Sequence, residues 1–248
     1  MIDKQIDKRD KKMILLALES SGDLSSVAIW QDAKILAHQF VEAKYGHAER
    51  IVLQADAVLR QSKIKINDID YFIGGRGPGS FTGIRTCLAA VTGFSIVADT
   101  PSYGINGLSA LGFACFESSK NTDIRDKKIV VLAISDTRRG SFYCQESRGE
   151  NLTSSDVEDL TLPKLHQKIN LLSNSGFLIR ICGSLSEDTL KLDDNLEKPY
   201  LVHHDRYSLD ATDIAHYAAW LIENDRELPP ATPLYLAPAK INQPKKSH

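Results

Sequence analysis

Five glycines, Gly74, Gly75, Gly77, Gly79 and Gly83, fall within the run GGRGPGSFTG, and no other stretch restricts the fold of this chain as strongly. Glycine loses more backbone freedom on folding than any other residue, so such density persists where the backbone turns tightly or approaches something closely. Pro78 fixes one further φ angle. A strand-like run, 69–73, precedes the glycines and an apolar stretch, 81–98, follows, so the run reads as a strand-to-helix connection. Ser80 or Thr82 can cap that helix, whose free N–H groups would favour an anion. The spacing matches neither GxGxxG with a distal acid nor GxxxxGK[ST], because no lysine follows Gly83. It is a weak nucleotide signature and a strong structural connection.

Upstream, the chain alternates apolar runs and short polar turns: 13–18, 25–30 and 34–41 predict a three-stranded antiparallel meander. Ala48, Ile51, Val52, Ala55, Val58 and Leu59 then recur at three- and four-residue intervals, which predicts a helix over 45–61. Residues 86–98 carry no charged side chain. Either that helix is buried within its own domain, or one flank docks on another subunit; the pattern allows both. A strand at 102–105 and a helix at 107–116 lead into a polar segment, 117–128, the best candidate boundary. Beyond it come strands at 129–134 and 141–145, a helix at 163–172, strands at 177–182 and 200–203, and a helix at 211–224.

Both halves open with a hairpin and continue by strand–helix alternation, which predicts an α/β chain of two lobes, each a mixed sheet with flanking helices. The lobes are expected at 13–116 and 129–237, with tails at 1–12 and 238–248. That plan fits the two-lobed actin-like (ASKHA, actin/hexokinase/Hsp70) architecture. The 248 residues, 42% of them hydrophobic and 25% charged, suffice for it and lie far from disordered composition.

A formal net charge of -2 provides no overall basic field, which argues against direct nucleic-acid binding by this chain alone. The four cysteines form no CxxC pair and sit in apolar stretches, which predicts buried, reduced thiols. The apolar run that starts at Met13 stops at Glu19, short of the ~7–15 residue core of a signal peptide and of a ~20-residue membrane span. A cytoplasmic protein without membrane insertion is expected.

Three places offer chemistry. The turn Glu19-Ser20-Ser21-Gly22-Asp23 reads as a plain hairpin tip or as a phosphate contact shared with Gly77, Gly79 and Ser80. His47 opens the helix HAERI, but a metal-binding helix needs its second ligand at i+4, where Ile51 stands. His203 and His204 are adjacent and would face opposite sides of a strand, so no metal site is expected. The turn Asp136-Thr137-Arg138-Arg139-Gly140 projects two cations, as a solvated hairpin or as an anion or partner contact.

In order along the chain, ILLALESSGDLSSVAIW, HAERI, GGRGPGSFTGIRTCLAAVTG, SDTRRGSFY and PLYLAPAK resemble the TsaB (YeaZ) family over almost everything after residue 12, and RGPGSFTGIR is the most specific segment. The resemblance implies the two-lobed actin-like fold. It implies a non-catalytic partner of TsaD that works with the ATPase TsaE, while TsaC supplies threonylcarbamoyl-adenylate, to form N6-threonylcarbamoyladenosine on tRNAs that decode ANN codons. His47 matches the first histidine of the HxxxH metal motif of TsaD and Ile51 the second, so metal and transferase chemistry should be absent. The partner surface it implies lies on the two helices of the first lobe, at His47, Ile51, Ala55, Val58, Arg85, Ala89, Ala90 and Gly93, and the same surface would form a homodimer. No cofactor is expected on the chain alone; ATP or ADP with Mg²⁺, and tRNA, would be met only through the complex. Glu19 stands where the superfamily usually has an aspartate, which weakens independent nucleotide binding. The competing reading is an ATP-dependent transferase or kinase of the same fold. A peptidase-like reading would need a nucleophile–base pair, and Ser80 has no histidine near it in sequence.

Overall fold

The computed structural model describes residues 12–42, 47–119, 128–148, 153–184, 200–202 and 208–236. The first sheet begins with strands β1 (Ile14–Glu19), β2 (Leu24–Gln31) and β3 (Lys34–Glu42), an antiparallel meander in which Ile14 pairs with Gln31 and Leu24 with Glu42. Helix α1 (His47–Ser62) leads to β4 (Tyr71–Gly75), which lies parallel to β1 with Leu15 opposite Tyr71. Helix α2 (Phe81–Ala98) then crosses to β5 (Ser102–Ile105), parallel to β4, and helix α3 (Gly107–Ser119) follows. The strand order is β3-β2-β1-β4-β5.

The second half repeats the plan. Strands β6 (Ile129–Asp136) and β7 (Ser141–Arg148) form an antiparallel hairpin, and the short β8 (Thr153–Ser154) and β9 (Glu158–Thr161) both pair with β7. Helix α4 (Leu162–Asn174) leads to β10 (Leu178–Gly183), parallel to β6, and β11 (Tyr200–Val202) is parallel to β10; helix α5 (Ala211–Glu223) ends the regular structure. Neither β8 nor β9 was legible in the sequence, since TS and EDLT carry little apolar alternation.

Each central strand is apolar on both faces because both are covered. On β1, Leu16 and Leu18 face α1 and α2, packing with Ile51, Val58, Ile84, Cys87 and Val91, while Leu15 and Ala17 face α5 at Ile214, Ala215 and Ala218. On β6, Leu132 and Ile134 face Leu165 and Ile169 of α4, while Val131 and Ala133 face Leu108, Leu111 and Cys115 of α3. The helices therefore cross over: α3, which precedes the polar segment, covers the second sheet, and α5, which follows that sheet, covers the first. They meet where Phe113 packs on Tyr217 and Trp220, ring centroids 5.4 and 5.6 Å apart. Two mixed sheets with flanking helices, each opened by a hairpin, make the two-lobed actin-like fold. Apart from Lys12, the expected terminal tails lie outside the described residues, as do His203 and His204.

Candidate functional site

The glycine run is packed from end to end. A side chain on Gly74 would meet Leu88, Val91 and Cys87 of α2 at 3.1–3.3 Å, and one on Gly83 would stand 1.8 Å from the Ser20 carbonyl oxygen. Gly77 has φ +95, a region that favours glycine, and its carbonyl accepts the Gly107 N–H at 2.9 Å. Ser80 is the N-cap of α2, its Oγ accepting the Gly83 N–H at 3.3 Å. The loop is also tied to the first hairpin: the Ser80 N–H donates to the Ser21 carbonyl at 2.7 Å, and the Ser20 hydroxyl donates to the Gly83 carbonyl at 2.9 Å.

Glu19, at the end of β1, is completely buried. Its Oε1 accepts the Ser21 N–H at 2.5 Å, and its Oε2 has no hydrogen-bond partner among the described residues. Burial pushes this carboxyl up to about 7; bonds from Ser21 and Ser20 oppose the rise, and the Asp210 carboxylate adds to it. The Cys87 thiol beside it is pushed well above its ordinary value, by burial first and by Glu19 second.

Between the lobes lies a cavity of about 570 Å³, walled by Ile84, Leu108, Leu111, Ile134 and Leu209 and rimmed by the two hairpin tips. Across its mouth Arg138 Nη2 lies 2.5 Å from both carboxylate oxygens of Asp23, joining the tips. Arg139 turns back to donate to the Tyr143 hydroxyl at 2.6 Å. Both cations of the second turn are thus engaged within the chain. Of the expected phosphate contacts, Ser21, Gly79 and Ser80 line the cavity, whereas Glu19, Ser20 and Gly77 are sealed behind it. Among the described residues no three of His, Cys, Asp and Glu gather as a metal-binding group.

The second feature is the outer face of α1 and α2. Helix α2 buries Gly83, Ile84, Cys87, Leu88 and Val91, while Arg85, Ala89, Thr92, Gly93, Ile96 and Val97 are exposed, Ile96 by 75% and Val97 by 69%. The pattern had left two options open, and both describe part of this helix: one flank is core and the other is bare. Among the described residues α2 alone has the length and hydropathy of a membrane span, yet it connects two strands of one sheet and packs against them. At its start Arg85 lies over the Phe81 ring, 3.7 Å from the centroid, and donates from Nε to the Tyr235 hydroxyl at 2.8 Å.

On α1 the expected surface needs correction. Ile51, Ala55 and Val58 are buried in the first lobe's own core, because the regular apolar stripe is the one that faces the sheet. The outward apolar residues are Val52 and Leu53, 49% and 69% exposed: Val52 shares the spacing of the stripe yet faces outward, and Leu53 falls outside that spacing, so periodicity singled out neither. Ala90 is half-buried against the same core, and the His47 side chain lies outside the described residues.

A two-lobed actin-like chain with a clasped interlobe cavity and a bare helical face matches a family model described as TsaD, tRNA N6-adenosine threonylcarbamoyltransferase, over residues 40–207. It is 32% identical over 165 residues to the tRNA threonylcarbamoyladenosine biosynthesis protein TsaB of Escherichia coli, a match that covers 65% of this chain and 68% of that one. The TsaB protein of Haemophilus influenzae is 32% identical over 145 residues, 58% of each chain. The solved structure of YeaZ from Pseudomonas aeruginosa superposes with a TM-score of 0.71 at 18% identity, covering 90% of this chain and all of that one, a likeness of fold. The chain belongs to the TsaB (YeaZ) family.

Proposed function

We propose that this chain is a non-catalytic partner and activator of a TsaD-type transferase in the formation of N6-threonylcarbamoyladenosine on tRNAs that decode ANN codons. A role in threonylcarbamoyladenosine biosynthesis comes with the family, whose relatives bear that name. The observation that carries the partner role is the bare face of α2 and α1, where Ile96, Val97, Val52 and Leu53 leave apolar surface in water. Exposed apolar patches of this kind mark interaction sites. Ala89 and Gly93 lie in the same face and let a second helix approach closely. The residue that an HxxxH metal pair would require, at position 51, is an isoleucine packed in the core, which supports the absence of a transferase centre. In this reading a TsaE homologue joins the same assembly, and tRNA and ATP or ADP with Mg²⁺ are engaged through it. In the absence of the transferase the same face pairs two copies of the chain.

The test is co-purification with the cognate TsaD homologue, followed by tRNA modification with each component omitted. Ile96→Glu should leave the isolated chain folded by circular dichroism. It should weaken the complex by about 100-fold or more, because an unpaired carboxylate in an apolar interface costs several kcal/mol. Unchanged binding by Ile96→Glu and Val97→Glu would sink the reading. The interlobe cavity favours a second reading, an ATP-dependent transferase or kinase. Micromolar binding of Mg–ATP to the isolated chain by calorimetry would support it, and no heat would remove it.

A further inference from the structure

The Glu19 carboxyl is the one acidic group in the described core that combines complete burial with an unpartnered oxygen. Gly75 is what makes room for it: a side chain there would overlap Glu19 Oε2 at 1.6 Å. The groups around it come from every neighbouring element. Ser20 and Ser21 of the hairpin tip flank it in sequence, Gly75 of β4 lies against it, Cys87 of α2 stands beside it, and Asp210 at the N-cap of α5 acts on it through space. Asp210 is itself bonded to His38 of β3, Nε2 to Oδ2 at 3.0 Å. No cation neutralises Glu19 within this set. A carboxylate in such a place must be neutral or must reach water.

The lid over it is held at few points. Two hydrogen bonds, Ser20 Oγ to the Gly83 carbonyl and Ser80 N–H to the Ser21 carbonyl, hold the hairpin tip on the glycine loop, and the exposed Asp23–Arg138 pair ties it to the second hairpin. Gly22 at the tip has nothing within 4 Å of where a side chain would stand. We propose that Glu19 is a proton-controlled latch: while its carboxyl is neutral the hairpin tip stays closed on the glycine loop at the base of α2, and ionisation opens the tip to water. The latch belongs to this chain alone and holds whether or not α2 docks on a partner.

The sign follows from proton counting. The folded chain keeps the proton up to about 7, whereas the unfolded chain releases it near the ordinary 4.5, so the folded state binds more protons in between and its stability falls as pH rises through that window. One proton corresponds to a decline of the folding equilibrium constant by about tenfold per pH unit. Asp210 acts oppositely: its carboxyl is held low by the His38 and Thr212 bonds against the cost of burial, and its contribution is lost in acid. Comparing wild type with Glu19→Gln cancels the Asp210 contribution.

The experiment is urea unfolding of the full chain across this pH range, with amide exchange of Ser80 read as a protection factor. Wild type should lose stability with rising pH relative to Glu19→Gln, and its Ser80 protection should fall by about tenfold or more above neutrality while the variant's stays level. Parallel curves for the two proteins would overturn the latch. Should Glu19→Gln not fold, the infrared carboxylic-acid C=O band of wild type decides together with Ser80 exchange. A buried acid band that vanishes through about 7 as Ser80 loses protection supports the latch, and a carboxylate already ionised near 4.5 removes it.

Discussion

At the residue scale, Gly83 and Gly93 occupy one helix and have opposite reasons to be glycine. Gly83 sits where the Ser20 carbonyl comes within 1.8 Å of a methyl group's place, and the obstacle is backbone that cannot rotate away. Gly83→Ala should therefore destabilise the chain by about 2 kcal/mol or more, read as a lower urea midpoint, through overpacking of the closed hairpin tip against the start of α2. Gly93 has nothing within 4 Å and lies exposed in mid-helix. Gly93→Ala should raise the stability by roughly 0.5–1 kcal/mol, read as a higher midpoint, the ordinary gain in helix propensity. If both variants moved alike, the close approach at Gly83 would be wrong. The sequence marked the glycine run as a tight connection because density alone demands one. It could not distinguish these two positions, since the oxygen that excludes a side chain at Gly83 comes from a hairpin more than sixty residues earlier. Glu19 was equally opaque: in the string it is one more acidic turn residue, and only the strand pairing and Gly75 show it sealed.

At the element scale, periodicity reports the face a helix buries and is silent about the face it offers. The stripe through Ile51, Ala55 and Val58 led correctly to a helix, now bounded as His47–Ser62, and the same stripe was then assigned to a partner although it seals the first lobe. Val52 and Leu53, one and two residues after Ile51, lie about 100° and about 200° round the helix from it and so turn away from the sheet. Helix α2 has no such contrast, being apolar all round, so its two faces became distinguishable only when the sheet was in place. Ile51→Ala should cost about 2–5 kcal/mol of stability by chemical denaturation, the usual result of a fully buried aliphatic cavity. Leu53→Glu should change stability by less than about 0.5 kcal/mol. An inverted order, with position 53 the sensitive one, would mean that α1 is rotated about its axis.

At the scale of the molecule, the two lobes are continuous in sequence as sheets and exchanged as helices. The polar segment is a sound place to divide composition, since the strands of the first sheet end at Ile105 and those of the second begin at Ile129. It is a poor place to divide packing. A fragment ending near residue 119 would carry Leu15, Ala17, Trp30 and Ile73 without the α5 residues that cover them, Ile214, Ala215 and Ala218. It would also carry α3 with Leu108, Leu111 and Cys115 stripped of their sheet. The C-terminal fragment would have the converse exposure, and the residues beyond α5 would lose their place too, since the Pro229 carbonyl accepts the Gly104 N–H and the Leu234 N–H donates to the Arg76 carbonyl, each at 2.9 Å. Burial of apolar area stabilises by roughly 25 cal/mol per Å², so uncovering one face of each sheet removes more than the ~5–15 kcal/mol by which a typical domain is stable. Each half expressed alone should accordingly be unfolded or aggregated by near-ultraviolet circular dichroism. The two halves co-expressed should form a soluble one-to-one complex with a single cooperative melt. Independent folding of either half would show that α3 and α5 are accessories to their sheets, and the two-lobed core described above would then have to be divided at the polar segment after all.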